Sequence, residues 1–153
     1  QKAAQQESHS GMFNLALNYS NGEGVEKNME LAIELFQKAA NLGSGQAAVN
    51  LGAIYANSAS GSNNYEKAYK WYKVGAQLGD ALAQNNLGMM YANGQGVVRS
   101  KIMALMWFYL SWNNGNKDIE DTIEELQNSM TPAQISEAKE KTQKCFESKY
   151  ASF

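Results

Sequence analysis

The chain has 153 residues, 44% of them hydrophobic, and 13 Lys+Arg against 15 Asp+Glu for a net charge of −2. That hydrophobic share argues against disorder, and no apolar run approaches the roughly 18 residues of a bilayer span. The balanced charge lacks the basic surface with which proteins grip nucleic-acid phosphates. A single proline, Pro132, favours helices over a turn-rich all-β design. The one cysteine, Cys145, can form no internal disulfide and is compatible with a reducing or an oxidising compartment.

A period runs through the sequence. Tyr19, Tyr55 and Tyr91 stand 36 positions apart, and in that register Leu15, Leu51 and Leu87 align, as do Ala16, Gly52 and Gly88. Ala32, Ala68 and Ala104 follow, then the aromatics Phe36, Tyr72 and Phe108, and each unit closes on Gly43, Gly79 or Gly115. Self-similarity at this spacing is the signature of a repeat architecture. From the N-terminus, Gln1-Lys2-Ala3-Ala4 reproduces Gln37-Lys38-Ala39-Ala40. Residues 1–7 are therefore expected to end the second helix of a preceding repeat, in a sequence that is a piece of a longer protein or a proteolytic remnant. Repeats follow at 8–43, 44–79 and 80–115, and a capping segment at 116–153.

Each repeat reads as two helices. In the first, Met12, Leu15, Ala16 and Tyr19 fall at i, i+3, i+4 and i+7, one apolar stripe. Ala16, Gly52 and Gly88 sit where the second helix must come close, which outweighs the roughly 1 kcal/mol that glycine costs a helix. The linkers Asn21-Gly22-Glu23-Gly24-Val25 and Asn93-Gly94-Gln95-Gly96-Val97 supply positive φ for a tight reversal and a valine that tucks back into the core. No strand precedes them and no Gly-Lys-Ser/Thr follows, so a phosphate-cradling role is discounted. Asn28, Asn64 and Ser100 are the expected N-caps of the second helices. Their buried stripes are Ala32, Leu35, Phe36 and Ala39, then Ala68, Trp71, Tyr72 and Gly75, then Ala104, Trp107, Phe108 and Ser111. Aromatic pairs at this spacing read as core and not as a ligand-stacking box.

The pattern A-x-N-L-G-x-x-Y-x-x-G-x-G-V, a capping residue, then A-x-x-W-Y-x-x-A/G-A-x-x-G resembles the Sel1-like repeat, a relative of the tetratricopeptide repeat. The resemblance covers about residues 8–115, and Ala83 to Val97 matches closely. It implies an all-α fold, a right-handed α/α superhelix (solenoid) of helix-turn-helix repeats, and an adaptor role in protein complexes, often in bacteria. Family habit leans toward the bacterial periplasm or secretion, while no residue fixes a compartment. The middle repeat departs from the pattern: Ser58-Ala59-Ser60-Gly61-Ser62-Asn63-Asn64 replaces the Gly-x-Gly-Val turn. Without its valine anchor that loop is expected to be more mobile than its counterparts.

After Gly115 the period is lost. Asp118 to about Ser129 carries Ile119, Ile123 and Leu126 on one face, an amphipathic helix. Thr131-Pro132-Ala133-Gln134 then reads as an N-cap, a proline at N1 and a capping-box glutamine, opening a helix to about Tyr150 that is charged on most of its surface. A solenoid needs a terminal element with a polar outer face, and a C-terminal capping helix pair fits that role. A tail beginning Met130-Thr131-Pro132 also resembles those that end many Sel1-like proteins.

Chemistry is sparse. His9, the sole histidine, is expected in a solvated loop just ahead of the first helix, and Cys145 in a packed or partly exposed site with no base placed beside it by sequence. No carboxylate–histidine cluster has metal-ligand spacing. Glu26, Glu30 and Glu34 read as a solvated face. Neither catalytic residues, nor a cofactor, nor a metal site is assigned.

The face of each first helix opposite its stripe is more informative. It holds fifteen positions without one charge, and the candidate partner-binding residues among them are Phe13, Asn14, Leu17, Val49, Asn50, Ala53, Leu82, Asn85, Asn86 and Met89. Resemblance to tetratricopeptide-like stacks turns this face into the concave groove. An uncharged apolar groove suits the side chains of another protein or peptide segment; another part of the same polypeptide could also cover it. Asn14, Asn50 and Asn86 form a ladder of amides suited to an extended peptide backbone, or to a neighbouring helix end or loop. The expected function is a non-enzymatic interaction module: an adaptor, a host-interacting effector or a toxin-neutralising immunity protein. The alternative is an enzyme of hydrolase type, or a small-ligand binder, with a site between groove and cap.

Overall fold

Helical periodicity and well-placed caps translate into eight α-helices in the computed structural model, which describes residues 2–57 and 62–150, with side chains for 9–57 and 64–150. They are α1 (Lys2–Asn21), α2 (Met29–Asn41), α3 (Gly45–Asn57), α4 (Ser62–Gln77), α5 (Ala81–Asn93), α6 (Lys101–Asn113), α7 (Glu120–Asn128) and α8 (Pro132–Glu147), with a single 3-10 turn at Lys117–Ile119. Among the described residues there is no strand. Helices pair as α1–α2, α3–α4 and α5–α6, and the pairs stack through α2–α3 and α4–α5. The fold is an all-α solenoid. α8 packs on α6 as α3 does on α2 and α5 on α4, so it occupies the place of a further unit's first helix.

Local chemistry sets the helix ends. The Asn28 side chain accepts from the Leu31 N–H at 3.1 Å and Ser100 from Met103 at 3.2 Å, satisfying donors that a helix start leaves free. The expected capping box opens α8: Thr131 Oγ1 accepts from the Gln134 N–H, and Gln134 Oε1 from the Thr131 N–H. Each second helix ends at Gly43, Gly79 or Gly115, whose φ values of 100°, 81° and 107° lie in the left-handed region that side chains resist.

Packing uses three clusters. Phe36, Ala47 and Leu51 centre the first; Tyr72, Leu87, Met106 and Trp107 the second; Leu105, Phe108, Ile119 and Ala138 the third, beneath the cap. Each fully buried leucine adds about 2 kcal/mol of hydrophobic stabilisation. The close approach expected at the small residues is real. A Cβ at Gly52 would overlap the Tyr72 ring, and one at Gly88 the Phe108 ring.

Three expectations differ from what forms. No turn separates residues 1–7 from the first repeat, because α1 runs unbroken from Lys2. The position aligned with the three helix-ending glycines is Glu7, which lacks their ease at positive φ, so the helix continues. His9 is consequently helical and half-buried, not part of a loop. Second, Leu15 is 41% exposed although Leu51 and Leu87 are fully buried. α3 and α5 each lie between two second helices, whereas α1 packs chiefly on α2 among the described elements. Third, Asn64 lies inside α4, which begins at Ser62, and so is not its N-cap. Lacking the glycine–valine turn, the chain re-enters the helix earlier. Of the stretch 58–64 expected to be a mobile loop, 62–64 are helical and 58–61 lie outside the described residues.

Candidate partner-binding surface

α5 sends Ala83, Gln84, Leu87, Gly88 and Met90 into the stack. The opposite face shows Leu82, 58% exposed, and Met89, 42% exposed, two turns apart. Half-buried Asn85 and Asn86 lie between them and exposed Asn93 beyond. On this face two exposed apolar side chains thus stand among uncharged amides.

The other two first helices present this face differently. On α3, Val49 packs against the second cluster and Ala53 is half-buried. Asn50 donates from Nδ2 to the Gln46 carbonyl at 2.9 Å, committing one amide hydrogen to its own helix. On α1, the Phe13 ring lies 5.8 Å from the Phe36 ring and Leu17 packs into the first cluster, while Asn14 is exposed. Apolar side chains of the ten candidates are therefore spent partly on the core in the first two units, and are free mainly on α5.

Where the α5 face meets α7, a recess of about 380 Å³ opens. Met89, Phe108 and Leu126 give it apolar lining, and Arg99, Lys101 and Glu125 give it charge. Arg99 Nε donates to the Ala92 carbonyl at 2.9 Å, and Lys101 Nζ to the Ser129 carbonyl at 2.9 Å. Both cations thus sit at helix C-terminal ends, where the peptide dipoles favour positive charge. Sequence reasoning missed this recess, since nothing in the period says that α7 would fold beside α5.

Two further clefts flank Tyr109 in the cap. One of about 430 Å³ lies toward α8 with Lys139 and Phe146 at its walls; the other, about 450 Å³, lies toward α7 with Glu120, Glu124 and Trp112. The Tyr109 hydroxyl accepts from Gln127 Nε2 at 2.6 Å, and burial, which outweighs that bond, raises its pKa. A polar chain ties the cap to the stack. Fully buried Gln84 donates to the Ala76 carbonyl at 3.2 Å and accepts from Asn114 at 2.8 Å, and Asn114 accepts from the Tyr150 hydroxyl at 3.0 Å.

The residue types of covalent or metal chemistry are dispersed. His9 is on α1, at the opposite end of the stack from the cap recesses. Cys145 is fully buried on α8, and burial pushes its thiol up to about 11, away from the thiolate that acts as a nucleophile. Among the described residues no three His, Cys, Asp or Glu side chains group closely enough to hold a metal.

Stacked helix pairs with a capped end and an uncharged first-helix face define an α-solenoid repeat protein. The chain belongs to the Sel1 repeat family, whose sequence model matches residues 9–44, 45–80 and 81–116. Sel1 repeats are generally protein–protein interaction modules and typically non-enzymatic scaffolds. Among solved structures, the chain is similar to a Sel1 repeat protein from Oxalobacter formigenes at 29% identity and a TM-score of 0.70, over 81% of this chain and 94% of that one. It also matches c5321, a protective antigen present in uropathogenic Escherichia coli strains displaying an SLR fold, at 27% identity and a TM-score of 0.44, over 97% of this chain and 40% of that one. No curated protein matches significantly.

Proposed function

We propose that this protein holds a segment of a partner protein in the groove formed by its first helices, against the uncharged face of α5, as a non-enzymatic adaptor, effector or immunity module. The observation that carries the reading is the exposure of Leu82 and Met89 on one uncharged helix face. Natural surfaces usually dilute such side chains with charge, and a partner's apolar groups gain by covering them. The half-buried Asn86 lies between them with amide donors and an acceptor for a peptide backbone. Asn14 and Asn50 extend the ladder along the stack, with Asn50 partly committed to its own helix.

Site-specific photo-crosslinking in extract of the native cell tests this. A crosslinker at position 86 is expected to capture a defined protein that one at exposed Glu34 does not, and the Leu82→Ser/Met89→Ser double variant, folded by circular dichroism, is expected to lose it. Equal capture from both positions, or capture that survives the double variant, refutes the reading.

A further inference from the structure

We infer that the recess between α5, α6 and α7 receives an acidic side chain of the bound segment, set beside an apolar one. This rests on the proposed α5 surface, with which the recess is continuous through Met89. Arg99 is the only arginine in the chain. Its Nε is anchored on the Ala92 carbonyl, which fixes the plane of the guanidinium, while its terminal amino groups make no hydrogen bond or ion pair among the described residues. Lys101 is held by the Ser129 carbonyl and likewise has no carboxylate partner there. Two preorganised cations over a Met89–Phe108–Leu126 floor offer a carboxylate charge-assisted bonds without first having to order the side chains.

Capping the carbonyl ends of α5 and α7 explains why both cations stand where they do, but it uses only one N–H of each. Glu125 is the opposing charge in the lining and pairs with neither cation. The net charge of the recess is thus positive. A lysine or arginine on the partner would meet two like charges for one opposite, so the lining selects an acidic residue over a basic one.

The test uses a phage-displayed library of random dodecapeptides, fused so that their termini are blocked, and selected on the whole chain with counter-selection on Leu82→Ser/Met89→Ser. The enriched peptides are expected to share an Asp or Glu next to an apolar residue. Replacing that acid by its amide in a synthetic peptide is expected to weaken binding about tenfold in wild type and scarcely at all in Arg99→Gln/Lys101→Gln. Glu125→Gln is expected to strengthen it, a gain that a misfolded variant cannot mimic. In ¹⁵N spectra the single arginine Nε–H resonance should move with the acidic peptide and stay still with the amide one. Enriched peptides without a shared acid, or equal affinity for acid and amide, overturn the inference and leave the α5 surface standing. Failure to enrich any peptide that depends on Leu82 and Met89 overturns both.

Discussion

At the scale of single residues, glycines and the cysteine make the sharpest claims. Gly11 and Gly88 are both helical, yet a Cβ at 11 meets nothing within 4 Å whereas one at 88 strikes the Phe108 ring. Gly11→Ala should therefore stabilise the protein by up to about 1 kcal/mol through helix propensity and a restricted unfolded state. Gly88→Ala should destabilise it by about 1–3 kcal/mol through overpacking, with thermal midpoints moving in opposite directions by about 2–4 °C per kcal/mol. Cys145 gives a pH dependence. Its thiol is held at about 11, above the usual 9.0, by burial. A raised folded pKa means that the native state holds the proton longer, so this contribution is whole below pH 9 and declines as pH rises toward 11. Buried Tyr72 and half-buried Tyr91 and Tyr109 are shifted the same way, so the Cys145→Ala variant isolates the cysteine's share. Urea melts of that variant should fall less steeply between pH 9 and 11 than those of wild type; parallel curves would refute the assignment.

At the scale of elements, the seam between stack and cap is where the period fails and side chains take over. Gln84 occupies a position held by Met12 and Ala48 in the other units, so no repeat logic anticipates a buried amide there. Its partners are Ala76 of α4, Asn114 after α6 and, through Asn114, Tyr150 after α8. Gln84→Leu leaves the Asn114 side-chain N–H without its partner and removes one of the two donors to the Ala76 carbonyl, which keeps the Gly79 N–H, a cost of about 1–3 kcal/mol. The seam should loosen with it: native-state alkylation of Cys145, slow in wild type, is expected to quicken in this variant, and unchanged alkylation would show that the chain of amides does not secure the cap. In contrast, the capping box at Thr131 and Gln134 was legible from four residues of sequence, because its two bonds are local.

At the scale of the whole molecule, a solenoid is a sum of units and the interfaces between neighbours, so its two ends need not be equally firm. Among the described residues, α3 and α5 each lie between two second helices, while α1 packs chiefly on α2, with Leu15 exposed and Gly11 open. Hydrogen exchange should find the amides from Met12 to Tyr19 opening before those of α3 and α5, and uniform protection would argue for a single cooperative unit. The same asymmetry shapes the candidate surface. Phe13 leans onto Phe36, Leu17 packs on the first cluster and Val49 on the second, and free apolar area of the candidate face collects on α5 beside the cap.

The sequence by itself determined the helix pairs, their register, the close approaches at Gly52 and Gly88, and the capping pair. These follow from a 36-residue period, from caps and from side-chain size, all readable along the chain. It also named the uncharged face, since charge needs no coordinates. The tertiary structure alone decided which members of that face are exposed, that the helix runs on through Glu7, and that Arg99, Lys101 and Glu125 gather at one recess. Exposure and juxtaposition depend on what packs from elsewhere in the chain, and a repeat pattern repeats neighbours only where the repeat itself continues.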